Sequence, residues 1–254
     1  MNLLFNQADA NRLSSGSQRA RVMSEAWVEG NLYCVGCSAV RLQRLGANTK
    51  ARDFICQECG EAFELKATKS KLANRIVGGA YAAMAERIAA QQAPNLLLLS
   101  YQPPQYAVRD LVVVPKHFLT LDSLYRRNPL GPQARRAGWV GCVILLDRIP
   151  ASGHLYLVRD GLHEAPIKAR EHWNRMLFLR KEAQDRSWLI AVLSCVERLP
   201  AEFTLAQAYA FEDELQRRFP KNTHVRPKIR QQLQRLRDSN QLAFLGGGRY
   251  RQLG

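Results

Sequence analysis

The stretch Asp53-Phe-Ile-Cys56-Gln-Glu-Cys59-Gly-Glu-Ala-Phe-Glu64-Leu-Lys66 carries the reading of this chain. Successive side chains on a strand point to opposite faces. Phe63 and Leu65 therefore fall on one side, and Glu64 and Lys66 project together on the other. Asp53 sits on the preceding segment, Arg52 to Cys56, and reaches the same spot if the two segments pair as a hairpin. The Cys56-x-x-Cys59 turn between them would pin that pairing.

Two carboxylates and a lysine in this order have the spacing of the PD-(D/E)xK nuclease core. The residue types suit phosphodiester hydrolysis. Oxygen ligands hold a hard cation such as Mg²⁺. The cation polarises a phosphate and acidifies water. The lysine orients or deprotonates the attacking water and steadies the charge that builds on phosphorus. The expected catalytic residues are Asp53, Glu64 and Lys66, with Asp53 and Glu64 as the magnesium ligands. Glu-x-Lys pairs are common on strand edges, so the flanking order matters. A helix is expected over 17–29, with Val22, Ala26 and Trp27 on its inner face. An Ala-rich helix is expected within 74–92, starting early or after Gly78-Gly79, and a buried strand at 95–101. Together these give the αβββαβ order of that core. Glu25 and Glu29 on the first helix read as solvated charges rather than site residues.

Cys34-x-x-Cys37 and Cys56-x-x-Cys59, separated by 18 residues, form the sequence pattern of a tetrahedral four-cysteine zinc site. Four thiolates leave no open position for substrate, so this zinc is expected to be structural. Cys142 and Cys195 lie in apolar contexts and read as buried hydrophobes.

Further out, strands are expected at 110–119, ended by Pro115, at 138–146 and at 153–160. A break at 196–203 precedes a second unit. Thr204 and Gln207 make a capping box. The helix after it carries Ala208, Phe211, Leu215 and Phe219 and stops at Pro220. A second helix, over 225–239, has Val225, Ile229, Leu233 and Leu236 on one face. A hairpin about Gly246-Gly-Gly248 closes the chain. Two helices and a basic hairpin suggest a winged helix-turn-helix, whose second helix enters the major groove while the wing touches backbone. The domains expected are 1–195, an α/β (α+β) nuclease unit with an inserted zinc site, and 196–254, the winged helix.

The chain of 254 residues carries 37 Lys and Arg against 22 Asp and Glu, a net charge of +15. The stretch 215–237 holds eight bases and no acid, and 123–146 has Arg126, Arg127, Arg135 and Arg136 and no acid. Such clustering is the electrostatic footprint of a nucleic-acid binder. An apolar content of 46% can build a core, which excludes a disordered chain. The longest apolar run, Gly138 to Leu146, is far short of the ~18 residues a membrane helix needs. With no secretion signal at the N-terminus, a cytoplasmic protein is expected, with no membrane partner and no obligate protein partner evident.

The whole chain resembles the DpnI-like family of methyl-directed restriction endonucleases. The resemblance rests on Tyr33-Cys34-Val-Gly-Cys37, the Asp53–Lys66 run, Gly79-Ala-Tyr-Ala, Arg135-Arg136-Ala-Gly-Trp139-Val-Gly-Cys142 and Ile229-Arg-Gln-Gln-Leu-Gln-Arg-Leu-Arg-Asp238. It implies a type II site-specific deoxyribonuclease that cleaves double-stranded DNA at GATC carrying N6-methyladenine. It implies catalytic Mg²⁺ and structural zinc, with Asp53, Glu64 and Lys66 at the catalytic positions. Trp139 falls in a family stretch that approaches DNA, where it would contact a methyl group or base; a packed core tryptophan is the alternative. The expected DNA-binding residues are Arg135, Arg136 and Trp139, with Arg226, Lys228 and Arg230 reading bases and Arg249 and Arg251 on the wing touching backbone. The alternative function is a non-catalytic zinc-containing winged-helix regulator, which leaves Asp53, Glu64 and Lys66 unexplained. A related nuclease acting on RNA or branched DNA is a third reading.

Overall fold

The computed structural model describes residues 1–8, 13–46, 52–182 and 185–253. Helix α1 (Gly16–Asn31) leads into strands β1 (Gln43–Arg44), β2 (Phe54–Ile55), β3 (Ala62–Thr68) and β4 (Arg75–Ala80). Helix α2 (Tyr81–Ala89) follows, then β5 (Asn95–Gln102), β6 (Ala107–Val114), β7 (Leu124–Arg126), β8 (Gly141–Leu145), β9 (Leu155–Arg159) and β10 (Leu162–His163). Helices α3 (Pro166–Arg175) and α4 (Arg186–Val196) follow. The C-terminal part contains β11 (Glu202–Thr204), α5 (Leu205–Tyr209), α6 (Glu212–Arg218), α7 (Val225–Asp238), β12 (Leu242–Gly246) and β13 (Arg249–Gln252).

A seven-stranded sheet in the order β1-β2-β3-β5-β6-β9-β10 forms the centre. Only β3 and β5 run parallel, joined by a connection that holds β4 and α2. The apolar run of β5 is continuous because both faces of this strand are covered. Leu97 and Leu99 join the core beneath α1, while Leu96 and Leu98 join the opposite core with α2 and α4. In β6, Leu111 and Val113 alternate with Val112 and Val114 in the same way.

Two sequence expectations are corrected, and one left open, where the Ala-rich helix starts, is decided. The buried face of α1 is Met23, Trp27 and Val28, rotated from Val22 and Ala26, which are only half-buried. The larger side chains remove more apolar surface from water, so they take the sheet side. Residues 75–80 of the Ala-rich segment are a strand, with the helix confined to 81–89. That strand pairs with β8 in a second sheet, β4-β8-β7, rather than extending the central one. Gly78 is what admits the pairing, since a Cβ there would lie 2.5 Å from Cys142 Sγ. The helix expected to run on from Thr204 breaks at Ala210-Phe211 into α5 and α6. Glu212, Asp213 and Glu214 sit in the first turn of α6, where the positive end of a helix dipole favours acids.

The Thr204–Gln207 capping box is present at the start of α5. Phe203, Ala208, Leu215, Val225, Ile229, Leu233, Leu236, Leu242 and Tyr250 close the C-terminal core, with Phe203 stacked on Tyr250. The small sheet β11-β13-β12 supplies the wing, and its turn passes through Gly246, Gly247 and Gly248, all at positive φ. The architecture is thus a mixed α/β sheet core with a C-terminal helix-turn-helix unit. No helix among the described residues is long and apolar enough to cross a membrane.

Candidate functional site

The short β2 strand pairs antiparallel with β3, placing Phe54 opposite Phe63. Backbone bonds extend the pairing by one residue, from Asp53 N–H to the Phe63 carbonyl at 2.9 Å. This holds Asp53 beside the outer face of β3, where its Oδ2 accepts from the Leu65 N–H at 2.7 Å. Phe63 and Leu65 pack into the core beneath α1. Glu64 and Lys66 line the opposite side, a cleft of about 740 Å³ that also contains Asp53.

Glu64 is buried, and its Oε1 lies 2.6 Å from Lys66 Nζ. Its Oε2 is buried with no hydrogen-bond partner. A desolvated carboxylate oxygen is destabilising unless something electropositive meets it. Together with Asp53 it offers the all-oxygen donor set that suits a hard divalent cation.

Glu25 also lines the cleft. It is buried rather than solvated, which corrects the expectation for this helix charge. Its Oε1 accepts from Arg21 Nε at 2.6 Å, and its Oε2 pairs with Arg44 on β1. Arg21, Lys71 and Arg75 add positive charge to the lining. The helical spacing of Arg21 and Glu25 was a legible signal for the pair, but not for the direction it faces. Glu25→Gln is expected to cost about 1.5–3 kcal/mol, the range for hydrogen bonds to charged groups. Urea unfolding of the two proteins measures it.

The four cysteines converge where β2 turns into β3 and α1 runs out. Their sulfurs all lie within 4.8 Å of one another. Cys34 and Cys59 are 3.6 Å apart and Cys37 and Cys56 are 3.5 Å apart, far too long for disulfides. A tetrahedron with Zn–S bonds of about 2.3 Å has edges of about 3.8 Å, so the spacing fits zinc. Backbone N–H groups of Gly36 and Ala39 point at Cys34 and Cys37 sulfur, as expected around thiolates. Gly60, at φ +74°, completes the second knuckle. Cys142 and Cys195 are buried away from this cluster.

The basic residues distribute less simply. Arg135, Arg136 and Trp139 lie in the hairpin that joins β7 to β8. Both arginines are exposed and Trp139 is half-buried, so it is not a core residue. The Arg136 guanidinium lies 5.0 Å from the Trp139 ring centre, and the indole covers Gly141, where a Cβ would be 2.8 Å from the ring. On α7, Arg226, Arg230 and Arg237 are exposed on one flank. Arg226 is paired with Glu212, whereas Arg230 has no carboxylate partner among the described residues. Lys228 departs from expectation. It is largely buried on the other flank, 2.9 Å from Asp185, beside Arg235, which reaches Asp185 and Glu182. On the wing Arg249 and Arg251 are exposed, with Arg251 held by Glu202 at 2.8 Å.

Two known family models match the chain in succession. Residues 1–182 match the family model described as DpnI, Dam-replacing family, and residues 184–252 match the one described as the Dam-replacing HTH domain. With both matches following one another over almost the whole length, the chain belongs to the DpnI Dam-replacing family.

Proposed function

We propose that the protein is a type II restriction endonuclease that cleaves double-stranded DNA at GATC sites containing N6-methyladenine, using Mg²⁺. Family membership supports the kind of function, a methyl-dependent restriction endonuclease, and the helix-turn-helix unit supports DNA as the partner. The observation that carries catalysis is the buried Glu64 carboxylate, ion-paired to Lys66 through one oxygen and unpartnered at the other, in a cleft shared with Asp53. A regulator without catalysis gives no reason for such an arrangement. The division of labour is residues 1–195 for cleavage and 196–254 for a second DNA contact.

Asp53 and Glu64 would hold Mg²⁺, which when bound supplies Lewis acidity towards the scissile phosphate and a more acidic water. Asp53 is oriented by the Leu65 N–H, so its second oxygen is free to face the cleft. Lys66, set by Glu64, holds the attacking water and donates to the phosphoryl oxygen on which charge builds. Water adds to phosphorus, the bond to the leaving deoxyribose oxygen breaks, and that oxygen takes up a proton. Arg21, Lys71 and Arg75 would attract the backbone into the cleft. Incubation with adenine-methylated and unmethylated plasmid, with and without Mg²⁺, tests the reading. Cleavage of the methylated plasmid alone is expected, and no cleavage of either would reject it.

In the DNA-bound protein Trp139, buttressed by Gly141 and Arg136, would meet an apolar methyl group or base edge. Arg226 and Arg230 would read bases from α7, and Arg135, Arg136, Arg249 and Arg251 would neutralise phosphates. Arg230→Ala is expected to weaken methylated GATC by about 1–3 kcal/mol and relax discrimination. Arg249→Ala should weaken all duplexes alike and lower the salt dependence by about one log–log unit. Lys228→Ala should reduce thermal stability and leave discrimination intact, since its partner is Asp185. Fluorescence anisotropy over a salt series separates the three outcomes.

A further inference from the structure

A second cavity, of about 220 Å³, lies on the face of the molecule formed by the end of α2, the turn after β6 and the start of α4. Lys116, His117, Arg180 and Arg186 line it, against Ile88 and Ala93. None of these residues belongs to the cleavage cleft, the zinc cluster or the exposed face of α7. Both His117 and Arg186 are more than nine-tenths buried, with 2% and 7% of their surface exposed.

The polar atoms here are left without partners in a consistent way. Arg180 Nε donates to His117 Nδ1 at 3.5 Å. Burial, with Arg180, Arg186 and Lys116 around the ring, pushes His117 down to about 3, so the imidazole is neutral and its proton sits on Nε2. Among the described residues that Nε2–H has no acceptor. Neither has Arg186 Nε, and Arg180 Nη2 lies 3.0 Å from Glu61 Oε1 without hydrogen-bond geometry. The unpartnered groups are all donors. Buried donors are destabilising when left unpaired. A water molecule would bring two protons of its own that also need acceptors. A dianionic phosphate brings three oxygens that only accept, together with negative charge.

Charge favours the same occupant. Glu61, which follows the zinc knuckle, is the one carboxylate that forms ion pairs with these groups among the described residues. It is shared by Lys116 at 3.3 Å, Arg180 at 3.0 Å and Asn95 Nδ2 at 2.8 Å. No carboxylate among the described residues pairs with Arg186, which opens α4, where the N-terminal end of the helix adds partial positive charge. Among the described residues, Arg180 and Lys116 thus share one carboxylate and Arg186 is paired with none.

We propose that this cavity is a binding site for a tetrahedral oxyanion, either free phosphate or the terminal phosphate of a nucleotide, held by Arg186, Arg180, Lys116 and the His117 Nε2–H. A phosphodiester inside a duplex is excluded, because the recipient groups are buried and a duplex phosphate is flanked by nucleosides on both sides. Asp185, the residue before Arg186, pairs with Lys228 and Arg235 on α7, so a bound anion would brace the start of α4 where α7 is held to it. The proposal is independent of the cleavage reading.

Isothermal titration and thermal unfolding of the full-length protein, without divalent cations, test it. Inorganic phosphate, a nucleoside 5′-monophosphate and a GATC duplex are titrated separately, with chloride at matched ionic strength as the reference. Phosphate is expected to bind one per chain and raise the unfolding midpoint saturably. Binding of the monophosphate without inorganic phosphate would identify a nucleotide end as the ligand. Arg186→Gln and the more exposed Arg180→Gln should each weaken binding at least tenfold, while Lys66→Ala and Arg230→Ala, which alter the other cationic surfaces, should leave it unchanged. Arg180→Gln keeps the test decisive if Arg186→Gln does not fold. No binding of either small anion beyond the chloride reference, or unaltered binding by Arg180→Gln, would overturn the site.

Discussion

Lys66→Ala is expected to abolish strand cleavage while leaving DNA binding in place. Lys66 makes one ion pair, with Glu64, and packs into no core. Its loss therefore leaves the fold intact and, on the proposed mechanism, removes a donor directed at the phosphoryl oxygens. Removing one such preorganised donor typically lowers kcat by about 10²–10³. Asp53→Ala and Glu64→Ala should lower it further, because on the proposed mechanism each would also remove a ligand of the hard cation. Their effects on binding have the opposite sign, since each deletes a negative charge from a surface that meets phosphates. Glu64→Ala has an additional consequence: it removes a buried carboxylate oxygen that has no partner. In the metal-free protein its stability cost should be small. Single-turnover cleavage of methylated plasmid, paired with anisotropy on the same duplex, measures the two effects apart. Near wild-type cleavage by any one of the three variants would show that residue to be misassigned.

Cys56→Ser is expected to produce the largest loss of stability. Cys56 is fully buried at the junction of β2 and the knuckle, and its backbone bonds to Glu61 and Gly60 set the turn into β3. Structural zinc contributes about 10–16 kcal/mol of apparent binding energy in zinc-finger peptides, where metal binding and folding are one process. Serine is a poor ligand for zinc, so the site should empty and the β2–β3 pairing loosen. Asp53 is held by that pairing through its N–H to Phe63 and its carboxylate to Leu65, so cleavage and thermal stability should fall together. Metal analysis by mass spectrometry, alongside unfolding of wild type and variant, checks the coupling. Folded, active wild-type protein that contains no zinc would remove the basis for the prediction.

Several features needed only local sequence. Two Cys-x-x-Cys turns bring two sulfurs together each, whatever the rest of the chain does, and the four sulfurs do converge. Alternation along β3 put Phe63 and Leu65 on the core side, and so Glu64 and Lys66 on the other. Thr204 and Gln207 are three residues apart, which is all a capping box requires. The stripe Val225, Ile229, Leu233 and Leu236 has the period of one helix turn, and all four are buried. Such patterns depend on backbone geometry that repeats within a few residues.

Other features were settled by segments distant in sequence. Residues 75–80 have a composition that a helix tolerates, but pairing with β8, which closes on Gly78 through Cys142, makes them a strand. A polar residue at the flank of a helix can face water or a neighbour with equal local propensity. Glu25 is drawn inward by Arg44 on β1, and Lys228 by Asp185 at the start of α4, each from a separate element. The unpartnered donors of His117, Arg180 and Arg186 come from three separate segments, and no periodicity in the chain announces them. Periodicity determines which face of an element is apolar. What the remaining polar groups meet is determined by packing, because the energy of a buried charge depends on the partner that the fold brings to it.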